Sequence, residues 1–196
     1  MNYLGLDLSL SSTGFYMICE GGKDIAFEID TKPQDFGGDI ERADYIASYI
    51  TGQLKDMEVR VAMEDFFTGK QPGSVIKLAI LGTMVRARLL ERGFRYVTFA
   101  PSQIKKFETG KGIAPKDTML KSVFKKHNFD TSSNNIADAC AIAHLCKAYY
   151  EWQSGRRDFL QYEQEVLKKA AKERAIVDLY KVEDLNSKIK IRGALK

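Results

Sequence analysis

The chain has 196 residues, 44% of them hydrophobic and 29% charged, with a net charge of +4. That composition excludes a disordered or fibrous protein and suits one globular domain with an appendage. No apolar run approaches a membrane span and no charged n-region leads into an apolar stretch, so a cytoplasmic protein without a secretory signal is expected.

The opening YLGLDLSL alternates. Leu4, Leu6 and Leu8 point one way, and Gly5, Asp7 and Ser9 the other. SSTG turns the chain into a second strand, GFYMICE, and Gly21-Gly22 predicts a hairpin turn into DIAFEID. Residues 39–56 follow as a helix with Ile40, Ala43, Ala47, Ile50 and Leu54 on one face. VRVAMEDFF is a fourth strand, with Glu64 on the face opposite Val59, Val61 and Met63. Pro72-Gly73 then breaks the chain, and Ser74 caps a helix ended by Gly93. The first half of that helix is apolar nearly all round, which predicts burial against the sheet on one side and a second subunit on another. RYVTFAP is a fifth strand. A short helix after Pro101, the glycine-rich TGKGIAP, a helix through Lys126 and the helix NIADACAIAHLCKAYYEW complete the pattern.

The order of these elements predicts an α/β fold with a five-stranded mixed sheet and helices on both faces. After about residue 153 the composition shifts, so residues 1–153 are read as the main domain and 154–196 as a charged helical C-terminal extension. Phe159, Tyr162, Val166 and Leu167 of that extension are available to pack on the core or on a partner. Cys19, Cys140 and Cys146, with His127 and His144, lack metal-ligand spacing. Cys140 and Cys146, in an apolar helical run, are read as core residues in a reducing compartment, and a zinc site is not expected.

Charge is unevenly spread. Residues 86–126 hold eleven Lys and Arg against three acids, a pattern that marks either a polyanion-binding face or solvated helix faces. Asp7 interrupts an apolar strand, Glu64 ends another, and Asp138 lies near the start of the last core helix. Each has an ordinary explanation: a turn cap, a strand-end acid, an acid near a positive helix terminus. Together they suit hard divalent cations, and two such ions roughly 4 Å apart support phosphodiester hydrolysis.

The stretches LGLDLSLSSTGF, VAMEDFFTGKQPGSVIKLAILGTMVRA, FAPSQIKKFETGKGIAPK and NNIADACAIAH, in that order over about residues 1–150, closely resemble the RuvC family of Holliday junction resolvases. The resemblance implies a ribonuclease H-like fold, a homodimer, and Mg²⁺-dependent nicking of four-way DNA junctions with two ions, for which Mn²⁺ substitutes. It assigns Asp7, Glu64 and Asp138 as catalytic metal ligands, with Lys105 and Lys116 as basic residues near the scissile phosphate. It assigns Phe67 as an aromatic wedge in the junction and helix 74–90 as the dimer helix. Lys105, Lys106, Lys111 and Lys116 around the glycine loop are read as the phosphate hold, because glycine lets backbone amides approach a phosphate.

One position departs from the family. Three residues before Asp138, where the family has a fourth metal-binding residue, stands Asn135. It shares a helix face with Asp138 and offers an uncharged oxygen. Three consequences stay open: a weaker or retuned second metal site, a contribution from Asp130, or an inactivating substitution. The alternative functions are a branched-DNA nuclease of broader specificity, a junction-binding protein that cleaves weakly, and an actin-like ATPase fragment. The last needs a second domain and phosphate turn that the chain lacks.

Overall fold

The computed structural model describes residues 1–65 and 72–177. Strands β1 (Asn2–Asp7), β2 (Ser12–Ile18) and β3 (Ile25–Asp30) form an antiparallel meander. Strands β4 (Val59–Glu64) and β5 (Tyr96–Phe99) extend the sheet in parallel on the other side of β1, in the order β3-β2-β1-β4-β5. The helices are α1 (Asp39–Gly52), α2 (Pro72–Glu91), α3 (Pro101–Thr109), α4 (Lys116–His127), α5 (Asn134–Gln153) and α6 (Gln161–Val177). This is the expected five-stranded mixed sheet. The helix expected over 39–56 is shorter: it stops at Gly52, and a turn closed by Asp56 at φ 60° leads into β4.

Alternation along the strands divides the core in two. Leu4, Leu6, Val61, Met63, Phe15 and Met17 face α1 and α2, where Ile46, Ile50, Leu81, Val85 and Leu89 meet them. Tyr16, Ala62, Val97 and Phe99 face α5. That helix is alanine-rich because it is enclosed: the sheet lies on one side, and α3, α4 and α6 pack around the rest. Val166 and Leu167 of α6 are buried in the same cluster, so the start of the extension packs on the core. Cys140 and Cys146 are free thiols buried in α5, as expected of core residues. Among the described residues no helix is long and apolar enough to cross a membrane.

Candidate active site

The parallel register of β1 and β4 runs from Asn2 opposite Val59 to Leu6 opposite Met63. One step further, Asp7 and Glu64 end their strands side by side, about 4.8 Å apart along the sheet. Both lie on the α5 face, since Gly5 and Ala62 two residues earlier face that helix. The strand ends therefore form a carboxylate rim on one edge of the sheet, with α5 above it.

Two glycines let α5 sit directly on the strands. A Cβ on Gly5 would stand 2.1 Å from the Ala139 carbonyl oxygen and 2.4 Å from the Ala143 nitrogen. A Cβ on Gly14 would stand 2.1 Å from the Asn135 carbonyl oxygen. These are backbone atoms and cannot yield. The helix start is fixed by Ser133, whose hydroxyl accepts from the Ile136 amide at 3.1 Å. Asp138, one residue before the Ala139 contact, is thereby held over the same end of the sheet. Its pKa is raised above 3.8 by burial, and the positive charges of Lys105 and Lys116 oppose that rise.

Those two lysines come from α3 and from the first residue of α4. The elements are tied together beneath them. Glu108 is buried and accepts from His127 Nε2 at 3.0 Å, and the His127 ring stacks on His144 of α5 with centroids 3.5 Å apart. Burial would raise the Glu108 pKa, but the His127 contact and the Lys126 charge lower it overall. Burial, with His127 beside it, drives the His144 pKa down to about 3, so that ring is neutral at pH 7. Ser122 Oγ adds a bond to the Glu108 carbonyl at 2.7 Å.

The donor set is chemically suited to a hard divalent cation: anionic carboxylate oxygens, with an amide oxygen on the helix above. Among the described residues, no three His, Cys, Asp or Glu side chains are drawn together tightly enough to form a closed cluster. The carboxylates share a rim without being gathered to one point.

A family model described as crossover junction endodeoxyribonuclease RuvC matches residues 3–146. The chain belongs to the RuvC family. A RuvC of Rhodospirillum rubrum is 31% identical over 156 residues, covering 76% of this chain and 90% of that one. A RuvC of Helicobacter pylori strain Shi470 is 38% identical over 85 residues, 42% of this chain and 54% of the relative. In that match the chain spans about half the relative's length. A solved Thermus thermophilus RuvC superposes with a TM-score of 0.64 at 24% identity, covering 79% of this chain and 97% of that chain. A second T. thermophilus RuvC structure, in complex with a Holliday junction substrate, superposes with a TM-score of 0.63 at 23% identity. The RuvC fold thus accounts for the sheet order and for α5 over the rim.

Of the residues singled out in the sequence, the structure brings Asp7 and Glu64 to adjacent strand ends, and Asp138, Lys105 and Lys116 into one electrostatic neighbourhood. Lys111 is exposed on the loop between α3 and α4. Lys106 points elsewhere: its Nζ meets Glu165 of α6 at 2.6 Å. Phe67 lies outside the described residues. Asn135 donates from Nδ2 to Glu28 Oε1 at 2.7 Å.

Glu28 is the residue that sequence reasoning missed. It stands opposite Gly14, which stands opposite Asp7, so the three share one row across the sheet. A tight two-residue turn at Gly21-Gly22 would instead set Glu28 opposite Phe15, on the other face. The hairpin is longer than that: its innermost paired residues are Met17 and Ile25.

Proposed function

We propose that this RuvC-family chain is a DNA endonuclease that resolves four-way junctions by paired, metal-dependent phosphodiester hydrolysis as a homodimer, acting on DNA in the cytoplasm. The observation that carries the reading is the carboxylate rim, with Asp7 and Glu64 on adjacent parallel strands under the α5 turn that bears Asp138. Mg²⁺, as two ions for which Mn²⁺ substitutes, is the cofactor that such hard oxygen donors select. Asp7, Glu64 and Asp138 would hold it, with Asn135 lending a neutral oxygen. When bound, the metal supplies an activated water and neutralises charge on the scissile phosphate.

The chain's own residues supply the rest. Burial raises the pKa of Asp138, and Lys105 and Lys116 help keep its carboxylate ionised. The same lysines, whose charges act on Asp138, would meet negative charge that grows on the phosphate in the transition state, so their loss should reduce rate more than binding. Lys111 and Lys106 contribute to holding phosphates, contacts that carry no sequence information. Helix α2 is the candidate dimer surface. Leu81, Val85 and Leu89 are buried within the protomer, while Ile76 and Leu90 are exposed.

The test is incubation of the full chain with Mg²⁺ or Mn²⁺ and end-labelled four-way, three-way, flap and linear DNAs, with the nicks mapped. Symmetric paired nicks confined to four-way junctions are expected. Glu64→Gln should cut ~10²-fold more slowly or worse while still binding the junction, because one fewer acid repels DNA. Cutting of flaps and forks at equal rate would replace the proposal with a branched-DNA nuclease. Tight junction binding without nicks would make the chain a junction-binding protein.

A further inference from the structure

The side chain of Asn135 is held in a particular way. Its Nδ2 donates to Glu28 Oε1 at 2.7 Å, and the same oxygen accepts from Ser12 Oγ at 3.1 Å. An ionised carboxylate only accepts hydrogen bonds. The bond to Glu28 therefore decides which way round the amide sits, with its nitrogen toward β3 and its oxygen away. Glu28 itself is kept from the rim. Gly14 stands between Glu28 and Asp7 in the row across the sheet, and the space above Gly14 is filled by the Asn135 backbone. Two strand spacings, roughly 9–10 Å, separate the backbones at Glu28 and Asp7.

We propose that Glu28 is a positioning residue: braced by Ser12, it clamps the amide nitrogen of Asn135 and so turns Asn135 Oδ1 toward Asp7 and Asp138 as a neutral ligand for a divalent cation. The inference rests on reading the rim as a metal site. It also accounts for asparagine at this position. An aspartate there would offer Glu28 no N–H donor and would set two acceptor-only carboxylates against each other, so the orienting bond would be lost. The amide satisfies Glu28 at one end and keeps an oxygen at the other.

The test is Mn²⁺ binding to the full-length protein without DNA, read by electron paramagnetic resonance, with thermal melts to monitor folding. Glu64→Gln serves as the control on the rim and should weaken binding severely. Glu28→Ala should weaken Mn²⁺ binding by about tenfold, the scale expected for residues that orient metal ligands. Glu28→Gln, whose Oε1 still accepts from Asn135, should stay within about twofold of the parent, since the orienting bond survives. Asn135→Asp alone should gain little. Combined with Glu28→Gln it should bind about tenfold more tightly than the single variant, because the clamp then runs from amide to carboxylate. If Glu64→Gln weakens binding and Glu28→Ala does not, the clamp is wrong and the rim stands. If Glu64→Gln binds like the parent, the metal rim itself is wrong and the clamp falls with it. Should Glu28→Ala fail to fold, the two Asn135→Asp variants decide, and equal affinities overturn the proposal.

Discussion

Asp138, the proposed metal ligand on α5, is ionised at a cost in stability. Its carboxyl is half-buried and its pKa lies above 3.8 in the folded chain. The folded state thus holds that proton to a higher pH than the unfolded state does. This favours folding fully below the unfolded pKa, and the advantage is lost as pH rises through the folded pKa. At neutral pH the ionised group is a net cost, despite Lys105 and Lys116. Asp138→Asn should therefore melt higher than the parent at pH 7 when divalent ions are chelated, by about 2–4 °C for each kcal/mol recovered. The difference should close as pH falls below the ordinary carboxylate value. Calorimetry across that range checks it, and an equal or lower melting temperature at pH 7 would show that burial exacts no such cost. The same variant should lose metal-dependent cleavage.

At the scale of elements, α6 bridges to two lysines, and the two contacts differ in kind. Lys126 Nζ meets Glu163 at 2.9 Å and the Phe107 carbonyl at 3.0 Å, with Glu163 only 12% exposed. That contact ties α6 to α3 and α4. The Lys106–Glu165 pair is 37% and 50% exposed, and such surface pairs contribute roughly 0–1 kcal/mol. A phosphate can therefore draw Lys106 away. Lys106→Ala should flatten the salt dependence of junction binding by about 0.9 in the log–log slope. Glu165→Ala should raise affinity a few-fold and leave that slope alone. Fluorescence anisotropy over a salt series separates the cases. An unchanged slope in Lys106→Ala would mean that the bridge to α6 persists on DNA.

For the whole molecule, the decisive surface is the outer side of α2. The first half of this helix is apolar nearly all round, which predicted burial on every side, yet within one protomer only one side of its described residues is covered. Gly82 belongs to the covered side, and Ile76 and Leu90, 61% and 58% exposed, stand on the open one. A charge at Gly82 would disturb the protomer's own packing, so the informative variant is Ile76→Glu/Leu90→Glu. Its fold should survive, because both side chains are already in water. Sedimentation should show a dimer for the parent and a monomer for the variant, and the variant should nick one strand without its symmetric mate. A parent that sediments as a monomer at micromolar concentration removes the dimer from the proposed mechanism.

The five-stranded sheet and the order of its helices were legible in the sequence, as were the acids that end β1 and β4. These rest on local signals: alternation in β1 and β4, and a carboxylate where a buried strand should be apolar. The break expected at Pro72-Gly73, with Ser74 as cap, was wrong: Pro72 and Gly73 lie in the first turn of α2, where a proline lacks no amide that the helix would use. The second role of Gly5 and Gly14, as the spaces into which the α5 backbone fits, was settled only by tertiary contact, since a glycine carries no mark of what lies above it. The partners of Glu28 and Lys106 were hidden for a related reason. Glu28 reaches Asn135 through a hairpin register that one residue of turn length would reverse. Lys106 reaches Glu165 across 59 positions of chain, and no periodicity in either segment encodes that meeting.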